Sequence, residues 1–222
     1  MATTAEVRRC TRIRSEPMRG RTVPERDTMS RKTNEGKGTM HYLNHYESPL
    51  GAMTMAGDGE HLTGLWFDGQ NYDRSTISDD AVVQPHLPVF TQTAQWLDTY
   101  FEGTDPGFTP PIRVEGSDFK KMVTSIMLSV PFGATSTYAR IAAEVARRTG
   151  RKQMSAQAVG GAVGHNPITL IVPCHRVLAS DGSLRGYAGG VDRKERLLEM
   201  EGVNMSGLST PPAADDGGGR RE

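Results

Sequence analysis

A cysteine beside a histidine is the feature of this 222-residue chain with the clearest chemical content. Cys174 stands in Pro173-Cys174-His175-Arg176, directly after the most hydrophobic run, Ile168–Val172. Cys10 and Cys174 are the two cysteines, too few for a disulfide framework or a thiolate-rich zinc site, and they suggest a reducing, intracellular setting. A thiolate is a soft anionic nucleophile suited to attack at carbon. A free thiol is mostly protonated at neutral pH, so it needs a base. His175 can serve only if the backbone bends or a water intervenes, because neighbours in an extended chain point to opposite sides. The proline before the cysteine favours such a bend. On spacing alone the competing reading is a buried, inert thiol, the usual fate of a lone cysteine.

Other blocks accompany this one. Asn166-Pro167-Ile168, Ile171-Val172-Pro173-Cys174-His175-Arg176-Val177 and Gly186-Tyr187-Ala188-Gly189-Gly190 follow in close order. Upstream lie Pro131-Phe132-Gly133, Thr135-Ser136-Thr137-Tyr138 and Ala158-Val159-Gly160-Gly161-Ala162, and downstream Leu197-Leu198-Glu199-Met200-Glu201-Gly202. With Ser48-Pro49-Leu50-Gly51 near the front, the set covers about residues 40–203 and resembles the O6-alkylguanine-DNA alkyltransferases (methylated-DNA–protein-cysteine methyltransferases). Pro-Cys-His-Arg is its most specific block.

The resemblance implies a repair protein that moves an alkyl group from guanine O6 in double-stranded DNA irreversibly onto its own cysteine. Cys174 is then the acceptor, His175 takes its proton through a bound water, and Glu201 orients the imidazole. Tyr138 assists protonation at guanine N3, and Asn166 shapes the turn around the cysteine. Tyr187, the Ala188 N–H and the Val177 and Cys174 carbonyls line the guanine pocket, with Lys194 at its rim. A helix-turn-helix enters the minor groove while the target nucleotide is flipped out. Ala158, Gly160 and Gly161 keep its second helix slim, Gln157 stands at the intercalating position, and Arg140 and Arg151, with Arg147, Arg148 and Lys152, contact phosphates. Close packing against a neighbouring helix is the competing explanation of the small residues. No metal or organic cofactor is implied, and a monomer that acts once is expected, cytoplasmic in a bacterial-type cell or nuclear in a eukaryotic one.

Four departures from the family pattern stand out. Gln157 replaces an arginine that fills the place of the flipped base in many relatives, Thr124 a tryptophan, and Ala188 a serine; the loop Thr149–Met154 is long. An alkylated-DNA-binding module without chemistry would lack the acceptor, yet Cys174 is present. A cysteine hydrolase would need a separated Cys and His and an oxyanion site, for which no signature exists.

The expected fold is α+β: a small N-terminal domain of antiparallel sheet plus helix, 40–110, then a mostly helical catalytic domain, 111–205. Strand-like runs at His41–Glu47, Ala52–Ala56 and His61–Phe67 are divided by Ser48-Pro49-Leu50-Gly51 and Asp58-Gly59, which are turn chemistries. After a loop rich in Asp and Ser, Val89, Phe90, Thr93, Trp96, Leu97 and Tyr100 recur at helical spacing. Ser117 or Asp118, Thr137 and Ser155 are candidate helix caps, Gly150 a C-terminal stop, and Asp192 with Glu195 a capping box for the last helix. Ile168–Val172 reads as a buried extended segment. No run reaches the ~18–20 apolar residues of a membrane span.

Lys and Arg balance Asp and Glu at 26 each, but unevenly along the chain. Residues 1–39 hold ten basic against five acidic groups, residues 40–110 one against ten, and residues 111–205 thirteen against eight. The leader 1–39 and the tail 206–222 lack sustained periodicity and read as disordered. The leader is open to reading as a nucleic-acid arm, an organelle address, or a misassigned start before Met29 or Met40.

Overall fold

The computed structural model describes residues 40–74, 77 and 80–210; the disorder expected of 1–39 and 211–222 lies outside these residues. Strand β1 (Tyr42–Ser48) turns through Pro49-Leu50 into β2 (Gly51–Gly57), paired antiparallel from Tyr42↔Gly57 to Ser48↔Gly51. The turn is closed by Ser48, whose hydroxyl accepts from Leu50 N–H at 3.2 Å and donates to the Gly51 carbonyl at 2.6 Å. Gly51 takes φ 117, a conformation side chains disfavour. Strand β3 (Leu62–Phe67) pairs antiparallel with β2 across a turn in which Asp58 Oδ1 accepts the Glu60 and His61 N–H groups. A two-residue β4 (Val82–Val83) adds to β1 in parallel, giving the order β3-β2-β1-β4. Two residues carry no alternation, so the sequence reads β4 as loop.

Helix α1 (Pro88–Phe101), opened by Pro88, buries Val89, Phe90, Thr93, Trp96, Leu97 and Tyr100 and packs against the sheet. The free edge of β3 is taken up by the chain beyond it. Leu62 bridges Ile112, and Leu65 bridges Ile168, with Leu65 N–H to Pro167 O and Thr169 N–H to Leu65 O both at 2.8 Å. The apolar core therefore runs without a break from Met53, Leu65, Phe67 and Trp96 to Val123, Val145, Val172 and Leu197. Burying side chains such as Phe67 contributes about 1.5–3 kcal/mol each.

Helix α2 (Asp118–Leu128) is capped by Ser117, α3 (Tyr138–Thr149) by Thr137, and α4 (Ala156–Gly164) by Ser155; each cap oxygen accepts from the backbone N–H three residues on. Gly150 ends α3 in the left-handed region, φ 66. Strand β5 (Ser136–Thr137) pairs in parallel with β6 (Val177–Leu178), and α5 (Val191–Met200) closes the fold.

Three expectations are corrected. Ile168–Val172 is buried but not extended: apart from the Ile168 bridge it is a succession of turns, with Leu170 at φ 71. Helix α5 has no capping box, because its N-cap is Gly190 at φ 91 and Asp192 already lies in the first turn. Residues 206–210 are not a loose tail. Leu208 packs with Leu178, Leu184 and Leu198, and Ser209 bridges Ser183.

Candidate active site

Asn166, just past α4, builds the loop that carries the cysteine. Its Oδ1 accepts from Ile168 N–H at 3.1 Å, while Nδ2 donates to the carbonyls of Ile168 (3.2 Å) and Val172 (2.8 Å) and to Cys174 Sγ (3.1 Å). Pro173 then sets the chain into a 3-10 turn over Cys174–Arg176. In that geometry neighbours project about 120° apart instead of opposite. Cys174 is 5% exposed. Burial pushes its thiol pKa up, against the Asn166 hydrogen bond and the positive charge of Lys194.

His175 is fully buried and its Nε2 lies 2.7 Å from Glu201 Oε1. Glu201, at the end of α5, also accepts Arg176 Nε on Oε2 (2.8 Å), Arg176 Nη2 on Oε1 (3.0 Å), Gly133 N–H on Oε2 (3.2 Å) and the Tyr100 hydroxyl on Oε1 (2.7 Å). The third guanidinium nitrogen, Arg176 Nη1, donates to Val130 O at 2.7 Å. Burial opposes ionisation of Glu201, but the hydrogen bonds and charges of His175 and Arg176 hold its pKa at about 2. Burial pushes the His175 pKa down, outweighing Glu201, so near pH 7 the ring is neutral and Arg176 is the cation facing Glu201, while the protonated ring adds its charge as pH falls. An ionised carboxylate facing Nε2 puts the ring proton there. Nδ1 is left as the bare, basic nitrogen, buried and without a hydrogen-bond partner. The set amounts to a shielded thiol next to an oriented neutral base.

The pocket loop after β6 brings the other candidates near. Tyr187 is buried with an unpartnered hydroxyl, and burial raises its pKa well above the ordinary phenol value, with the Cys174 charge adding to it. Tyr138, on the first turn of α3, donates to Gly186 O at 3.3 Å, and burial followed by Cys174 pushes its pKa up to about 12. Gly186 is required there: at φ 84, a Cβ would stand 2.6 Å from the Tyr138 hydroxyl. Ala188 O accepts Asn71 N–H from the loop after β3 (3.2 Å). Lys194 is fully buried instead of standing at a rim, its Nζ donating to Val177 O (2.6 Å) and Arg185 O (3.3 Å). Burial lowers its pKa to about 8.

The nucleic-acid candidates lie on α3, α4 and the loop between them, where Gly160 comes close to the Tyr138 ring. Gln157, Ala158, Gly161, Arg140 and Arg151 are exposed and Gly160 is half-buried, whereas Val159 and Val163 turn into the core. A Cβ on Gly161 or Gly164 would meet nothing within 4 Å, so packing does not demand glycine at either position. Arg147 and Arg148 are tied to Glu144 at 2.7 Å each. Thr124, expected as a departure from a family tryptophan, is buried in α2.

Two functional candidates escape sequence reading. One is the identity of Arg176's acid partner, Glu201. The other is Tyr100, assigned to the core by its helical spacing; the signal it carried is a hydroxyl on a buried ring, which requires a partner.

The family model described as 6-O-methylguanine DNA methyltransferase, ribonuclease-like domain, matches residues 41–114, and its DNA binding domain counterpart matches residues 118–203. The methylated-DNA–protein-cysteine methyltransferase of Mycobacterium tuberculosis H37Rv is 39% identical over 160 residues, covering 71% of this chain and 92% of the relative. That of Methanosarcina barkeri is 38% identical over 164 residues, covering 74% and 99%. Among solved structures, Mycobacterium tuberculosis OGT in complex with DNA is similar with a TM-score of 0.62 and 37% identity, over 72% of this chain and 92% of that one. With both halves matched in order and the Cys-His-Glu cluster assembled, the chain belongs to the 6-O-methylguanine DNA methyltransferase family of DNA-repair proteins.

Proposed function

We propose that the protein takes an alkyl group from O6 of guanine in duplex DNA onto Cys174 Sγ, once per molecule. The thiol proton passes through a water to His175 Nδ1. Sγ then attacks the alkyl carbon, the S–C bond forms as the C–O6 bond breaks, and the leaving guanine is protonated at N3 by Tyr138. The imidazolium proton restores the tyrosine through solvent. Thioether formation leaves no bond that water readily cleaves, so the protein does not turn over.

The carrying observation is the pair of buried contacts on adjacent residues, Asn166 to Cys174 Sγ and Glu201 to His175 Nε2, with a neutral imidazole whose Nδ1 has no hydrogen-bond partner. Tyr187, the Ala188 N–H and the Val177 and Cys174 carbonyls receive the base. Val177 O accepts one hydrogen bond from Lys194, and its second lone pair remains for the guanine amine. Because O6 is inaccessible inside a duplex, the nucleotide is flipped while α4 lies along the minor groove, Gln157 filling the gap and Arg140 and Arg151 holding phosphates. A monomer acting on chromosomal DNA in the cytoplasm of a bacterial-type cell fits this reading.

A duplex carrying O6-[3H-methyl]guanine tests it. Wild-type protein should take up one label per molecule on Cys174 and Cys174→Ala none. No label on wild type, or equal label on the variant, would refute the transfer.

A further inference from the structure

We propose that Tyr100 is a positioning residue of the transfer centre: its hydroxyl ties Glu201 Oε1, and through it the His175 ring, to helix α1. This rests on the alkyl-transfer function proposed above and deepens it. Tyr100 arrives from the sheet-bearing half of the chain, 101 residues before Glu201 and 75 before His175.

The ring has little freedom. Tyr100 is fully buried, stacked on Trp96 at 5.0 Å and met edge-on by Phe101 (5.5 Å) and Phe132 (5.9 Å). Its hydroxyl lies 2.7 Å from Glu201 Oε1 and 3.3 Å from His175 Nε2. With the imidazole proton on Nε2 and directed at Oε1, that nitrogen cannot accept, so the phenol proton goes to the carboxylate. Burial and the Glu201 charge keep the phenol protonated far above neutral pH, so it remains a donor throughout the working range.

Two consequences follow from sharing Oε1. Geometrically, the tyrosine and Arg176 fill the other approaches to this oxygen, leaving the imidazole N–H one direction. That fixes the ring and the aim of Nδ1. Electrostatically, the tyrosine draws charge from the oxygen facing His175, making the imidazolium less favourable. Removing the hydroxyl should therefore loosen the base and also raise its proton affinity. A tyrosine serving only as packing would do neither.

Tyr100→Phe keeps the ring and its aromatic contacts. Its single-turnover transfer rate near pH 7 should fall on the order of tenfold, as for loss of one hydrogen bond to a charged group. The acidic limb of the rate–pH profile should move to higher pH, with duplex affinity unchanged within about twofold. Should Tyr100→Phe fold poorly, 3-fluorotyrosine installed at position 100 alone keeps the hydroxyl and makes it a stronger donor. The acidic limb should then move to lower pH. Opposite displacements by the two replacements are the expected result. A limb that stays in place in either folded protein, whatever the rate, would overturn the inference and leave the transfer function standing. Wild-type protein that never labels Cys174 would overturn both.

Discussion

Arg176 decides the state of the residues around it. A carboxylate as buried as Glu201 is costly unless a permanent cation faces it, and Arg176 does so through two nitrogens at 2.8 and 3.0 Å. Replacing it by methionine leaves that charge unpaired, so Arg176→Met should lower the unfolding free energy at pH 7 by about 3–5 kcal/mol, measured in urea. The acid response should change as well. A carboxyl with pKa about 2 when folded and 4.5 when free adds stability that is complete above pH 4.5 and is lost as pH falls toward 2. The contribution is on the order of 3 kcal/mol. In Arg176→Met this loss should shrink, since His175 is then the one charged partner left to hold the Glu201 pKa down. Equal acid sensitivity in the two proteins would show that another group holds Glu201. The sequence pointed to Glu201 as the histidine's partner, but it could not name the acid that pairs with Arg176. Eight acids lie in residues 111–205, and nothing in their spacing selects one.

Helices were the most legible elements, because α2, α3 and α4 each have a capping side chain and α1 has a long apolar stripe opened by a proline. What failed was local chemistry overruled from a distance. The apolar run Ile168–Val172 reads as a strand, but Asn166 binds both its ends and folds it into turns. Asp192 and Glu195 have capping-box spacing, but the pocket loop delivers the chain through Gly190 and starts α5 two residues early. Helix α4 raises the opposite question, since its glycines suit either tight packing or close approach to DNA. The open space around Gly161 makes that position the one where a substitution can separate the two. Gly161→Leu should leave thermal stability unchanged or raise it by up to about 1 kcal/mol, as leucine is the better helix former. The same leucine should weaken duplex binding on the order of tenfold, by holding the helix away from the sugars. A stable variant with unchanged affinity, measured by fluorescence anisotropy, would mean that α4 does not face DNA.

The balanced charge of the whole molecule conceals an arrangement that salt dependence can expose. Residues 40–110 carry one basic group against ten acids, so the excess cations of residues 111–205 are the candidates for meeting phosphates. These cations are not equivalent. Arg147 and Arg148 share Glu144, whose pKa they hold at about 2 through their hydrogen bonds, whereas no ion pair engages Arg140 or Arg151 among the described residues. Each phosphate neutralised steepens the fall of log K with log salt by about 0.9. Arg140→Ala with Arg151→Ala should therefore flatten that slope by about 2. Glu144→Gln frees two guanidinium groups on the same helix and should steepen it by about 1–2, with tighter binding at low salt that disappears as salt rises. Damaged and undamaged duplexes should respond alike, because phosphates carry no record of the lesion. Unchanged slopes for Glu144→Gln would place Arg147 and Arg148 away from the duplex and leave Arg140 and Arg151 as the phosphate contacts on this side of the protein.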